Sequence, residues 1–171
     1  MDMIKRNAKR LWAVLLAGVL LLGLLSGCSV EWGDVDDVLG PGGSSASSDY
    51  VAEVVRLVNI ERTSRGLPAL TMDTKLNAAA AERAEETITR FAHERPDGSS
   101  CFTILREYGV SYRAAAENIA GGQSTPEAVV NSWMNSPGHR ANILNSSLRK
   151  IGVGYARGGQ YGTYWVQLFT G

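Results

Sequence analysis

Trp133 to Leu144 reads Trp-Met-Asn-Ser-Pro-Gly-His-Arg-Ala-Asn-Ile-Leu, and it constrains the fold more than any other stretch. It describes the end of one helix, a sharp corner and the start of another. Ser136 is expected to cap the second helix. Pro137 suits its first turn, where a missing N–H costs nothing. Gly138 is expected to let the backbone bend. His139 then lies in that first turn, close to free backbone N–H groups. The chain has only one other histidine, His93, and an acidic residue, Glu117, lies between the two within Ala-Ala-Ala-Glu-Asn-Ile-Ala. Both histidines occupy Gly/Pro-rich corners, where side chains face clefts. The expectation is a fold that brings His93, Glu117 and His139 to one cleft.

The beginning of the chain has a different character. Lys5, Arg6, Lys9 and Arg10 form a basic region, followed by an apolar run from Leu11 to Leu25 that is short for a membrane span. Leu25-Ser26-Gly27-Cys28 resembles a bacterial lipobox, with cleavage before Cys28 and lipid on that residue. Residues 1–27 therefore read as a lipoprotein signal peptide, and the domain is expected outside the cytoplasm, lipid-anchored to the bacterial membrane. Removing them takes away four basic residues and one acidic one, so the net charge falls from 0 to −3. A mildly acidic domain is a poor partner for nucleic acid.

Residues 28–48 read as the lipidated Cys and an acidic, Gly/Ser-rich tether with one bulky exception, Trp32. A flexible coil of about 20 residues would hold the domain about 25 Å from its anchor. With Cys28 lipidated, Cys101 has no partner, and its apolar context suits a buried structural thiol.

Residues 49–171 are expected to form one domain. Val51, Val54, Val55 and Val58 mark one helical face, with Glu53, Arg56 and Arg62 on the other, and Gly66-Leu67-Pro68 ends the helix. Asp73 caps a second helix running to Arg90, with the stripe Leu76, Ala80, Ala84 and Ile88. A loop from Phe91 to Ser100 and a short helix from Cys101 to Tyr108 follow. Thr125-Pro126-Glu127 is a strong helix start, with Val129, Val130, Trp133 and Met134 buried. Ile151, Val153 and Tyr155 alternate in one strand. The next strand, from Tyr164 to Phe169, is apolar on both faces and so covered on both. Gly158-Gly159 turns between them. Ala114 to Ala120 is a third candidate strand. Helices flanking a small, mostly antiparallel sheet give an α+β fold, a three-layer α–β–α sandwich.

The common catalytic signatures are missing. His93-Glu94 opens like a zincin helix, but Asp97 stands where its second His belongs. No serine has a nucleophile-elbow pattern, and no glycine loop suits phosphate. Two imidazoles and a carboxylate match an open zinc site with water in the last position. The alternative is that Glu117 hydrogen-bonds His93 or His139 and only stiffens the cleft.

Phe91-Ala92-His93, Arg95-Pro96-Asp97-Gly98, Glu117-Asn118-Ile119-Ala120, Trp133 to Leu144 and Ile151-Gly152-Val153-Gly154 occur in this order. Together they resemble the bacterial branch of the CAP superfamily (cysteine-rich secretory, antigen 5 and pathogenesis-related), also called SCP-like extracellular domains. The resemblance covers roughly Tyr50 to Thr170. It implies a cleft lined by two His and two acids, with His93, Glu117 and His139 as three of the four. Asn118, Ser136 and Asn142 are expected to support them. Ala116 replaces the glycine usual before Glu117, Ser136 stands at the second acid's position, and Asn142 stands where many relatives have Gln.

No cofactor is required. Zn²⁺ at His93 and His139 is expected to bind weakly, because Ser136 replaces an acid. The function expected is a membrane-anchored binding module for an envelope or extracellular peptide, glycan or small molecule. The alternative is a hydrolase using metal-bound water or Glu117 as base.

Overall fold

The computed structural model describes residues 45–171. The signal segment, Cys28 and most of the tether lie outside the described residues. The first helix, α1 (Ser45–Thr63), begins inside the expected tether, and Gly66 closes it with φ 76°. A two-residue strand, β1 (Thr71–Met72), was not expected: two residues carry no periodicity to read. Asp73 then caps α2 (Thr74–Thr89), accepting from the N–H groups of Lys75 and Leu76. A loop carrying His93 leads to α3 (Thr103–Glu107), shorter than expected, and then to β2 (Ala115–Gly121). Thr125 caps α4 (Pro126–Met134) through the N–H of Ala128. The corner leads into α5 (Pro137–Ile143), and the chain closes with β3 (Lys150–Gly158) and β4 (Gly162–Thr170).

The four strands form one mixed sheet in the order β1-β3-β4-β2. β1 is parallel to β3, and the other two pairings are antiparallel, with Ile151 opposite Phe169 and Glu117 opposite Leu168. β4 is central and covered on both faces, as its two apolar faces demand. Tyr164, Val166 and Leu168 pack with Leu76, Ala79, Ala80 and Ala84 of α2. Trp165 and Phe169 pack on the opposite side with Val54 and Val58 of α1 and with Val129 and Trp133 of α4. This is the expected α–β–α sandwich.

Two glycines set the spacing of α2. A Cβ on Gly154 would sit 1.9 Å from the Ala80 carbonyl oxygen, and one on Gly152 would sit 2.2 Å from the Leu76 carbonyl carbon. The alanines of α2 and these glycines let helix and strand backbones approach almost without intervening side chains.

Arg62 is not on the solvent face. It lies on the i, i+4 row of Val54 and Val58 and is fully buried. Its guanidinium donates to the carbonyls of Pro68 (2.9 Å), Ile143 (2.7 Å), Asn145 (3.0 Å) and Leu148 (3.4 Å). It thus satisfies carbonyls at and beyond the C-terminal end of α5 that no helical N–H reaches.

Candidate functional site

Glu117 projects from β2 toward α2, and its side chain is only 1 % exposed. Its Oε2 accepts from Arg83 Nε at 2.9 Å. Its Oε1 lies 2.8 Å from His93 Nδ1 and 3.4 Å from Arg83 Nη2. Each carboxylate oxygen therefore has a partner. Of the two partners left open by the sequence, Glu117 takes His93. The His93 side chain is 56 % exposed, so the pair runs from the buried sheet face to solvent.

His139 enters differently. It lies in the first turn of α5, and its backbone carbonyl accepts from Asn118 Nδ2 at 3.1 Å. Asn118 also donates to Gln167 Oε1 at 2.9 Å, and Asn142 Nδ2 bonds both Asn118 Oδ1 (2.8 Å) and the Glu117 carbonyl (3.2 Å). Asn118 and Asn142 thus tie α5 to β2. Among the described residues the His139 ring has no hydrogen bond to Glu117 or His93.

Two expectations about the corner are corrected. Ser136 occupies the cap position of α5, but its side chain makes no capping bond. Gly138 does not have a positive φ, so the corner needs no glycine there. Extended Ser136 followed by Pro137 turns the chain by itself.

Arg83 completes the site, although no motif in the sequence marks it. Its side chain is fully buried, and besides Glu117 it donates to Glu86 Oε2 (2.6 Å) and to the Ala92 carbonyl (3.1 Å). Glu86 in turn receives Arg95, which also reaches Glu82 and Glu107. The loop bearing His93 is therefore pinned on both sides, at Ala92 and at Arg95. A signal existed: Arg83 falls on the apolar stripe of α2, between Ala79–Ala80 and Thr87, where a charge needs a buried partner.

The two imidazoles are driven apart electrically. The hydrogen bond to Glu117 raises the pKa of His93 above its usual 6.5. Burial, and then the nearby charge of His93, lower that of His139. Cys101 is a free, buried thiol. Burial, and then the Glu117 carboxylate, push it up to about 12, which makes it a poor nucleophile.

No group of three or more His, Cys, Asp or Glu side chains among the described residues is arranged to hold a metal ion. Glu117 is already committed to Arg83 and His93. The imidazole pair alone falls short of the three protein ligands of an open zinc site. These residues do not fit a resident zinc centre.

Residues 55–169 match CAP, the "Cysteine-rich secretory protein family". The uncharacterized protein YkwD of Bacillus subtilis (strain 168) is 43% identical over 129 residues, covering 74% of this chain and 49% of YkwD. An extracellular protein containing an SCP domain from Bacillus anthracis str. Ames superposes with a TM-score of 0.65 at 28% identity, over 72% of this chain and 41% of that one. An outer surface protein of Borrelia burgdorferi gives 0.62 at 25% identity, over 68% of this chain and 88% of that one. The chain spans about half the length of YkwD.

Proposed function

The chain belongs to the cysteine-rich secretory protein family, CAP, and from that premise we propose that it is an extracytoplasmic binding module whose His93–His139 cleft recognises a peptide, glycan or small molecule without turning it over. The observation that carries this reading is the commitment of Glu117. A general base must lie within hydrogen-bond reach of the substrate proton, and the Glu117 carboxylate is only 1 % exposed behind its two partners. Here both carboxylate oxygens face Arg83 and His93, and the nearby thiol is held protonated. Recognition by hydrogen bonds from imidazoles and nearby amides needs neither group. Two relatives are described as an extracellular protein and an outer surface protein, which supports a place outside the cytoplasm. Anchorage through lipid on Cys28 is part of the proposal.

The test has two arms. Immobilised soluble domain should capture material from fractionated cell-envelope extracts, and His93→Ala and His139→Ala should each lose it. Capture retained by both variants, or release of cleaved product by the wild type, refutes the reading. In cells, labelled fatty acid should enter the wild type and not Cys28→Ala. Equal labelling refutes the anchor.

A further inference from the structure

The pairing of Arg83, Glu117 and His93 decides which nitrogen of His93 faces a ligand. A carboxylate 1 % exposed stays ionised only beside a countercharge, and Arg83 supplies it through two N–H groups, one on each oxygen. An ionised carboxylate is acceptor-only. The His93 nitrogen 2.8 Å from Oε1 must then carry the proton. A neutral carboxylic acid would reverse this, donating to Nδ1 and leaving the imidazole proton on Nε2. Arg83 also holds the Ala92 carbonyl, one residue before His93, so the same guanidinium fixes the backbone from which the ring projects.

We propose that Arg83 is a positioning residue for His93, acting through Glu117 and Ala92, so that the neutral imidazole keeps its proton on Nδ1 and leaves Nε2 bare on the exposed side of the ring. The proposal rests on the reading of the His93 cleft as the binding site. It narrows the ligand class: the group meeting His93 is a hydrogen-bond donor, such as a hydroxyl or an amide N–H. Lysine cannot replace Arg83 fully, because a point charge cannot pair both carboxylate oxygens and hold the Ala92 carbonyl together.

The experiment is two-bond ¹H–¹⁵N spectroscopy of protein labelled in its histidine ring nitrogens, at alkaline pH where the rings are neutral. His93 should be predominantly the Nδ1–H tautomer in the wild type. In R83Q the ratio should turn over to the Nε2–H form that a free imidazole prefers, and R83K should fall between. R83K also serves if R83Q does not fold. A wild-type His93 in the Nε2–H form overturns the proposal. So does a folded R83Q or R83K with the wild-type ratio. No ligand is added, so a cleft that binds nothing would leave this result unaffected.

Discussion

Gly154→Ala isolates the contact that places α2, and with it Arg83, over the sheet. The added Cβ would lie 1.9 Å from the Ala80 oxygen, 2.3 Å from its carbonyl carbon and 2.7 Å from the Ala81 nitrogen. The closest comfortable carbon–oxygen approach is about 3.3 Å, so helix and strand must separate by roughly 1.4 Å. A gap of about 0.5–1 Å already forfeits a quarter to a half of a contact's attraction. Leu76, Ala79, Ala80 and Ala84 are all fully buried in this interface and would all lose contact. Overpacking usually costs about 1–3 kcal/mol, mostly where a side chain can yield. The obstacle here is backbone, so we expect about 3 kcal/mol or more.

Urea unfolding read by fluorescence of the buried Trp133 and Trp165 measures this directly. In a heat melt the same loss corresponds to about 10 °C or more. Gly138→Ala is the control. Its Cβ meets nothing within 4 Å and its φ is not positive, so it should be neutral or stabilise by about 0.4–1 kcal/mol. A loss under about 1 kcal/mol in Gly154→Ala would mean that the close approach of α2 and β3 does not hold in solution.

Trp133→Ala should cost about 3–5 kcal/mol, since the ring is fully buried between α4 and the sheet and its Nε1 donates to the Ile119 carbonyl; a loss near 1 kcal/mol would place it at the surface. Reductant should leave the melting curve of the domain unchanged, because Cys101 is a free thiol; a large drop would reveal a bridge. Proton NMR should find His93 titrating above 6.5 and His139 below it. The stabilisation from His93 is then fully present below pH 6.5 and lost as pH rises through its folded value. That from His139 is present above 6.5 and lost as pH falls through its own. The reverse order would refute the Glu117–His93 pairing. Zn²⁺ titration should find one weak site, fading as pH falls and abolished by His93→Ala and by His139→Ala; binding retained in both would place the metal elsewhere.

Caps and alternation made much of the fold legible. Asp73 and Thr125 start α2 and α4 as their side chains promise, and the two-faced apolar run at Tyr164 to Phe169 is the central strand. For Arg62 and Arg83 the position on the helix was readable, but the partner was not. Each sits on the buried stripe of its helix, whereas charge in a helical pattern ordinarily signals solvent. Their acceptors come from far along the chain: Ile143 to Leu148 for Arg62, Glu117 for Arg83. No local pattern announces such partners. Gln167 was hidden likewise, as a polar residue in an apolar strand facing Asn118. At the site, the residue types were readable, but which histidine Glu117 would take depends on sheet register.

These buried polar groups share a geometric task. Arg62 holds the C-terminal end of α5, and Asn118 and Asn142 hold its body to β2. His139 therefore sits on a short helix fixed at both ends. Arg83 and Arg95 hold the loop around His93, on either side of that residue. Stability alone does not explain the choice of charge. A buried ion pair roughly breaks even against apolar residues of the same volume, while loss of one partner typically costs about 3–5 kcal/mol. An apolar α2–β2 contact would fill the same space, but it would leave the imidazole of His93 without a fixed proton or a fixed direction. The arginine and carboxylate supply direction that packing cannot, and the recognition role proposed for His93 depends on that direction.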